Sequence, residues 1–192
     1  GAPSAAATTS GAVSAVSGTS ATARVTLSQR QRDFVDTQAS AARAAEAQSG
    51  IPAAFMVAQA AHESGWGRHE IRNADGSTSH NLFGIKAGAG WNGPVAEIRT
   101  TEYINGEAQK VTAKFRAYAS YDEAFRDYAR MLSESPRYAA VAAKAAQGGA
   151  TQASAQQFAR GLQNAGYATD PAYASKLTSV INSTLRLQRV LT

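Results

Sequence analysis

Glu63 is the side chain whose position most clearly indicates acid–base chemistry. It stands in the segment AAHESGWG, residues 60–67, near the end of the most apolar predicted helix of the chain. The negative end of the helix dipole and the loss of water in an apolar, aromatic neighbourhood both disfavour a charged carboxylate there, which predicts a raised pKa. A carboxylic acid with a raised pKa is suited to protonating a glycosidic oxygen. The alternative is a helix-terminal glutamate that simply points into water.

A second carboxyl group is the usual partner of such an acid in glycoside hydrolysis. A predicted β-hairpin offers Glu97, Glu102 and Glu107. Glu102 lies in the middle of a strand, where the wall of a cleft would hold it, whereas Glu107 adjoins the turn and is expected to be solvated. Glu102 is therefore the preferred second group. Its alternative is an ordinary exposed strand residue.

Metal and thiol chemistry are disfavoured by residue types and spacing. The chain has no cysteine, which excludes disulfides, cysteine zinc sites and thiol nucleophiles. His62 and Glu63 begin like the zinc-protease pattern H-E-x-x-H, but Trp66 stands where the second histidine is required. The histidines have no established metal-ligand spacing; they are His62, His69 and His80. We therefore expect no metal site.

A nucleotide cofactor and nucleic acid are also disfavoured. Residues 88–93 match the letters of G-x-G-x-x-G, but a proline and a strand follow in place of a helix, so the dinucleotide-binding context is absent and we expect no cofactor. Basic and aromatic residues are interleaved over residues 110–118, yet no nucleic-acid-binding motif surrounds them, and a solvated strand face is the commoner cause.

The charge balance predicts a polyanionic partner. The 19 Lys and Arg residues against 14 Asp and Glu residues give a formal net charge of +5. An anionic cell-wall polymer fits this charge better than nucleic acid, because no reader motif accompanies the basic residues. No apolar run approaches the ~20 residues of a membrane-spanning helix, so we expect no membrane insertion.

Composition divides the chain into a tail and one domain. Residues 1–27 are dominated by Ala, Ser, Thr and Gly with a single charge, so they bury too little apolar surface to fold and are expected to form a flexible linker or tail. The sequence begins with Gly in place of an initiator Met and contains no signal peptide, which we interpret as a fragment of a longer protein. Residues 28–192 are long enough for one core.

Two helices are predicted at the start of this domain. A capping box at Ser28 predicts the first turn of one helix and Gly50 its end, with Gln38 as the one polar interruption of its apolar stripe. Pro52, in the first-turn position, opens a second helix that runs to about Ser64. This helix is apolar nearly all round, so it is expected to be central and buried.

A hairpin and further helices complete the predicted fold. Residues 94–118 change to a period of two around Asn105-Gly106, which predicts a two-residue turn that pairs Ile104 with Glu107 and Glu102 with Gln109. Helices then start near Ser120, Pro136, Ala153 and Asp170-Pro171. The predicted fold class is mostly α (α+β), with a small β lobe at about residues 94–118 inserted in an α domain.

Four motifs, in order, resemble those of glycoside hydrolase family 73. They are ESGWG at residues 63–67, NLFGIK at 81–86, W-x-G at 91–93 and GYATDP-x-YA-x-KL at 166–177. The resemblance covers about residues 30–186. It implies a lysozyme-like α lobe with a β lobe, a cleft between them, and cleavage of the β-1,4 bond after N-acetylglucosamine in peptidoglycan.

Three catalytic positions carry over from this resemblance. Glu63 matches the family's general acid, Glu102 its β-lobe carboxylate, and Tyr167 a tyrosine near the bond being cut. From the residues alone Tyr167 would be assigned to packing. The second step is left open between water activated by Glu102, electrostatic stabilisation by Glu102, and assistance by the 2-acetamido group of the substrate with support from Tyr167.

Other motif residues are assigned to substrate binding. Trp66, Phe83 and Trp91 are expected to stack on sugar faces or to wall the groove, although core packing explains Trp66 equally well. Asn81 would bind an N-acetyl group or fix its loop, and Lys86 would meet peptide carboxylates.

The expected partner is the glycan strand of peptidoglycan. Flagellar members of the family carry a rod-binding domain ahead of the hydrolase, so the resemblance implies local wall opening for rod assembly, contact with rod proteins through a missing N-terminal domain, and a periplasmic location reached by the flagellar secretion apparatus. Two alternatives remain, a lytic transglycosylase and a non-catalytic wall-binding assembly module.

Overall fold

The structure is a computed structural model that describes the backbone of residues 10–191 and the side chains of residues 29–187. Within this range it contains helices joined by short connections and one antiparallel two-stranded sheet. The elements are α1 (Ser10–Ser49), α2 (Ala53–Ser64), β1 (Val95–Ile104), β2 (Glu107–Arg116), α3 (Tyr121–Glu134), α4 (Ala139–Gly148), α5 (Gln152–Asn164) and α6 (Tyr173–Leu191). The predicted fold class, mostly helical with a small β-hairpin, is confirmed.

Helix α2 is the centre of the core, as its apolar sequence predicts. Every residue from Ala53 to Ala61 is buried, and α1, α3, α5 and α6 contribute core side chains around it. Pro52 is the N-cap residue, one position earlier than the predicted first-turn place. Gly65 ends the helix in the left-handed conformation with φ of 59°, a backbone geometry that glycine adopts without steric cost.

Helix α1 begins earlier than predicted. It starts at Ser10 and runs through Ser28, the predicted start, to Ser49, where Gly50 ends it as expected. The added turns contain four alanines, but Ser, Thr, Val and Gly, which have lower helix propensities, are the majority, so local propensity does not account for the earlier start. The linker role of residues 1–27 stays a prediction, and residues 1–9 lie outside the described residues.

The hairpin has the predicted register. Ile104 pairs with Glu107 and Glu102 with Gln109. Asn105 and Gly106 both have positive φ, 53° and 81°, as a two-residue type I′ turn requires. Residues 101–110 are all exposed, so the distal half of the hairpin projects from the domain.

The proximal end of the hairpin is fastened to the preceding loop. The Ala87 N–H donates to the Lys114 carbonyl at 2.9 Å, and the Arg116 N–H donates to the Ile85 carbonyl at 3.0 Å. These bonds continue the ladder of β2 for a short distance, so residues 85–87 lie beside β2 as a minimal third strand.

The remaining helices start near their predicted positions. Ser120 caps α3 by accepting from the Glu123 N–H at 3.2 Å, while the Glu123 carboxylate accepts from the Ala119 N–H, one residue before the position of an ideal capping box. Among the described residues, no helix combines the length and hydropathy that crossing a membrane requires.

One polar side chain lies within the apolar core of α2. Gln59 is fully buried; its Nε2 donates to the Tyr173 hydroxyl at 2.7 Å, and its Oε1 accepts from the Tyr128 hydroxyl. Both tyrosines are also buried. Gln59 therefore joins α2 to α3 through Tyr128 and to α6 through Tyr173, and all three polar groups satisfy one another.

We expect Gln59→Leu to lower the free energy of unfolding by about 2 kcal/mol or more, because two buried hydroxyls lose their partner while the apolar volume is nearly kept. Urea denaturation measures this loss. A triple variant that adds Tyr128→Phe and Tyr173→Phe removes the stranded hydroxyls and should regain most of it. A triple variant no more stable than Gln59→Leu would show that lost packing, and not the hydrogen bonds, causes the effect.

Candidate active site

Four of the predicted site residues line one cavity of about 340 Å³. Glu63, Phe83, Lys86 and Tyr167 come together there from α2, the loop after it and the turn between α5 and α6. The other lining residues are Gly84, Ile85, Arg116, Met131, Tyr138 and Ala168. The cavity therefore lies where the helical part of the molecule meets the proximal end of the hairpin.

Glu63 occupies the position that its sequence context predicts. It precedes the last residue of α2, so its carboxyl group meets the negative end of the helix dipole. The side chain keeps exposed surface, yet the surrounding protein removes enough water that desolvation raises its pKa. The predicted direction of the shift is confirmed, and a proton on Glu63 is retained to a higher pH than on an ordinary glutamate.

Tyrosines form the wall beside Glu63. Tyr167 stacks on Tyr173 with ring centroids 5.9 Å apart, and the ring of Tyr138 meets that of Tyr167 at 5.5 Å. Burial raises the pKa of Tyr167 well above its ordinary value, and the neighbouring Tyr173 and Glu63 act in the same direction. The hydroxyl of Tyr167 therefore stays protonated and can donate a hydrogen bond in a cavity that also contains an acid.

Two cationic side chains, Lys86 and Arg116, also line the cavity. Arg116 donates from Nη1 to Asp127 at 2.9 Å and from Nε to the Lys86 carbonyl at 3.3 Å. Its guanidinium also lies 4.8 Å from the ring centre of Trp91. Trp91 thus contacts the lining residue Arg116 but does not itself line the cavity. Lys86 lines the cavity and is exposed to solvent.

The Asn81 side chain bonds only to backbone groups, which agrees with the second of its two predicted roles, fixing the loop. It is 2% exposed. Its amide donates to the carbonyls of Ile85 and Arg116, both at 2.9 Å, and accepts from the N–H groups of Phe83 and Ile85. With all four hydrogen bonds made to backbone, the side chain is not available to an N-acetyl group.

The structure does not bring Trp66 to the Glu63 cavity, and its described contacts agree with core packing, the other role that the sequence offers for it. The chain reverses at Gly65, and Trp66 itself has a positive φ of 58°. Its ring consequently packs edge-to-face with Phe34 of α1, at 5.8 Å between ring centres. Trp66 lines a separate cavity with Phe34, Glu70 and Tyr121.

Glu102 also lies outside the residues that line the Glu63 cavity. It is exposed in the distal half of β1, opposite Gln109. Among the described lining residues, Glu63 is the only carboxylate. The described residues also contain no cluster of three metal-ligating side chains.

Sequence patterns missed three residues that the structure places at the site. Tyr138 and Met131 follow no motif, and their approach to Glu63 depends on how α3 and α4 pack. The sequence places Arg116 on the solvated face of its strand. In the structure its side chain turns back toward the helices and bonds Asp127 of α3. The one feature of the sequence that could have indicated Arg116 is its place at the end of β2, at the base of the hairpin.

Comparison of sequences identifies related proteins. The profile of the glucosaminidase family, described as mannosyl-glycoprotein endo-beta-N-acetylglucosaminidase, matches residues 39–186. The peptidoglycan hydrolase FlgJ of Salmonella typhimurium is 55% identical over 155 residues, which are 81% of this chain and 46% of that protein. An autolysin of Enterococcus faecalis is 34% identical over 157 residues, 81% of this chain and 20% of that protein. The chain thus spans less than half the length of these curated relatives.

Comparison of structures gives the same result. The C-terminally truncated glycoside hydrolase domain of Salmonella typhimurium FlgJ matches with a TM-score of 0.68 and 51% identity, over 81% of this chain and 98% of that chain. The peptidoglycan hydrolase of Sphingomonas sp. A1 matches with a TM-score of 0.69 and 46% identity, over 84% of this chain and 95% of that chain. The sequence resemblance to this family is confirmed.

The raised pKa of Glu63 makes the stability of the protein depend on pH in a predictable way. Below the pKa of an unfolded glutamate both states hold the proton; as the pH rises, the unfolded state releases it first, so ionisation of Glu63 lowers stability. We expect Glu63→Gln to gain more in melting temperature over the wild type at about pH 8 than at about pH 4. Thermal unfolding measures the gain.

The matched control is Glu107→Gln on the exposed hairpin, which should show the same small difference from the wild type at both pH values. A gain for Glu63→Gln that is equal at the two pH values would contradict the desolvation of this carboxyl group.

Proposed function

We propose, on the premise that the chain belongs to the glucosaminidase family, that it is a glycoside hydrolase acting on peptidoglycan as an endo-β-N-acetylglucosaminidase. The observation that carries this proposal is the position of Glu63. Among the described lining residues it is the single carboxyl group; its pKa is raised, and the same cavity contains the protonated hydroxyl of Tyr167 and two cationic side chains.

Glu63 would act as the general acid. Its proton passes to the glycosidic oxygen as the bond from that oxygen to the anomeric carbon of N-acetylglucosamine breaks, and positive charge develops at that carbon. The raised pKa lets Glu63 hold this proton to a higher pH than an ordinary glutamate does. Lys86 and Arg116 give the cavity a cationic side suited to the carboxylates of the peptide stems.

Two routes remain for the second step, and the geometry bears on both. Glu102 would serve as the second carboxylate only if the hairpin brings it toward the cavity when substrate binds. Tyr167, which already lines the cavity, would instead support attack by the 2-acetamido oxygen of the substrate on its own anomeric carbon. The presence of one carboxylate among the described lining residues supports the second route and equally a lytic transglycosylase.

The wider setting is also a proposal. The name FlgJ among the relatives supports a periplasmic role in which local cleavage of the wall makes room for the flagellar rod. Contact with rod proteins would involve parts of such relatives that the matched region does not include.

Glu63→Gln should reduce the release of soluble fragments from purified peptidoglycan by at least about 100-fold, because general acid catalysis is worth about that much or more. Mass spectrometry of the wild-type products should identify N-acetylglucosamine at the new reducing end. A 1,6-anhydromuramyl end would assign the chain to the lytic transglycosylases. Undiminished release by Glu63→Gln would overturn the assignment of the acid.

Glu102→Gln and Glu107→Gln form a matched pair, because both residues are exposed on the same hairpin. Participation of Glu102 as the second carboxylate predicts a loss of about 10-fold or more in the rate of cleavage for the first variant and a rate within about twofold of the wild type for the second. Equal rates for the two variants would remove Glu102 from the mechanism and leave the route through Tyr167 and the acetamido group.

A further inference from the structure

The two faces of the hairpin carry opposite charges. Alternate cross-strand pairs direct their side chains to the same face of a two-stranded ladder. Four successive pairs on one face are Thr101–Lys110, Arg99–Thr112, Glu97–Lys114 and Val95–Arg116. Each of these pairs contains one cation, and we call this face the cationic face. Among the described residues, the opposite face has no cation and two carboxylates, Glu102 and Glu107.

Most cations of the cationic face are exposed and only weakly engaged. Arg99, Lys110 and Lys114 are exposed, and among the described residues Arg99 makes no ion pair. Lys110 donates to Thr101 Oγ1 at 2.9 Å, which uses one of its three N–H groups. Lys114 Nζ lies 3.8 Å from Glu97 Oε1, and an ion pair as exposed as this one contributes little. These charges therefore remain available to a ligand.

The cationic face leads to the catalytic cavity. Its cation nearest the domain, Arg116, lines the cavity that contains Glu63. Lys110 lies six residues before Arg116 on β2, which corresponds to about 20 Å along the strand. The face therefore presents one cation at each step of about 7 Å, from the exposed half of the hairpin to the position of the acid.

Protection of the hairpin edges does not explain this distribution. Charged side chains on an exposed strand oppose pairing with other chains, but that effect does not require the cations to share one face. Glu97 is the one carboxylate on the cationic face, while Glu102 and Glu107 lie on the other. A face with this excess of positive charge attracts a polyanion, and its continuity with the cavity makes the substrate the polyanion that fits.

We propose that the cationic face binds the peptidoglycan strand and guides it to Glu63. This inference rests on the proposed function, which makes peptidoglycan the substrate. The groups recognised are the carboxylates of the peptide stems, which recur along the glycan and can pair with successive cations. Binding there adds contacts far from the bond that breaks and raises the local concentration of glycan at the cavity.

The binding test uses the full chain with Glu63→Gln, so that the probe is not cut. The probe is a soluble, uncross-linked peptidoglycan strand labelled with a fluorophore at one end, and fluorescence anisotropy measures its Kd. Binding should weaken as salt is added. The same strands with amidated stem carboxylates should bind at least about fivefold more weakly at low salt.

Variants localise the binding to the cationic face. Arg99→Gln with Lys110→Gln should weaken binding at least about fivefold at low salt, because two ion pairs with the strand are lost. The matched control, Lys144→Gln with Arg160→Gln, removes the same charge from exposed positions on α4 and α5 and should change binding by less than about twofold. The exchange Arg99→Lys with Lys110→Arg keeps the charge and should also stay within about twofold.

Equal weakening by the two charge-removing double variants would overturn the proposal, as would equal binding of untreated and amidated strands or a loss of binding in the charge-keeping exchange. If the hairpin double variant weakens binding of a DNA oligomer but not of the strands, the face belongs to nucleic acid instead. Failure of the wild type to release fragments from peptidoglycan would overturn the proposed function, whereas the binding of the strands is measured without cleavage.

Discussion

The arrangement of this molecule depends on the hydrogen bonds of one buried amide. Helix α2 is surrounded by the core, and a polar side chain within it is tolerated only if its partners come from the neighbouring helices. Gln59 takes the Tyr128 hydroxyl from α3 and offers its own N–H to Tyr173 on α6, so the rotation of α2 relative to both is fixed. Glu63 lies four residues further along and therefore on the same face of the helix. The direction in which the acid points thus follows from a contact one turn away in the core.

The electrostatics of the site follow from what surrounds this acid. Arg116 lines the same cavity as Glu63, but its guanidinium is engaged by Asp127 and by the Lys86 carbonyl. Tyr128, Tyr167 and Tyr173 all have pKa values raised chiefly by burial, so they contribute hydroxyl groups and no charge. Desolvation consequently decides the proton affinity of Glu63. Among the described lining residues, the raised pKa of Glu63 thus has desolvation as its cause, with no second carboxylate beside it.

Local signals in the sequence predict most of the fold, whereas contacts between distant elements decide the site. Gly65, Ser120 and Asn105-Gly106 act within a few residues, and each ends, starts or turns its element as expected. The position of Glu63 is predictable for the same reason, since the helix that carries it is recognisable by itself. The positions of Trp66 and Tyr138 depend instead on contacts between distant elements. The chain reverses after α2, which places Trp66 against Phe34 of α1, and the packing of α4 places Tyr138 in the cavity with Glu63. Gln38 is an intermediate case, because the sequence reveals a polar interruption of the apolar stripe of α1 but not that the fold buries its side chain.

The hairpin is attached to the domain only at its proximal end among the described contacts, so a small rotation there moves its distal end by a larger distance. Its proximal end is held by the bonds to residues 85–87 and by the Arg116–Asp127 pair, and its distal half has no such support. Glu102 lies seven residues from the start of β1, which corresponds to about 23 Å at 3.3 Å per residue. A rotation of about 10° at the base therefore displaces Glu102 by about 4 Å, a distance comparable to the spacing of two hydrogen-bonded strands. The position that this carboxylate can reach is thus set by the stiffness of a few hydrogen bonds that lie far from it, at the base of the hairpin.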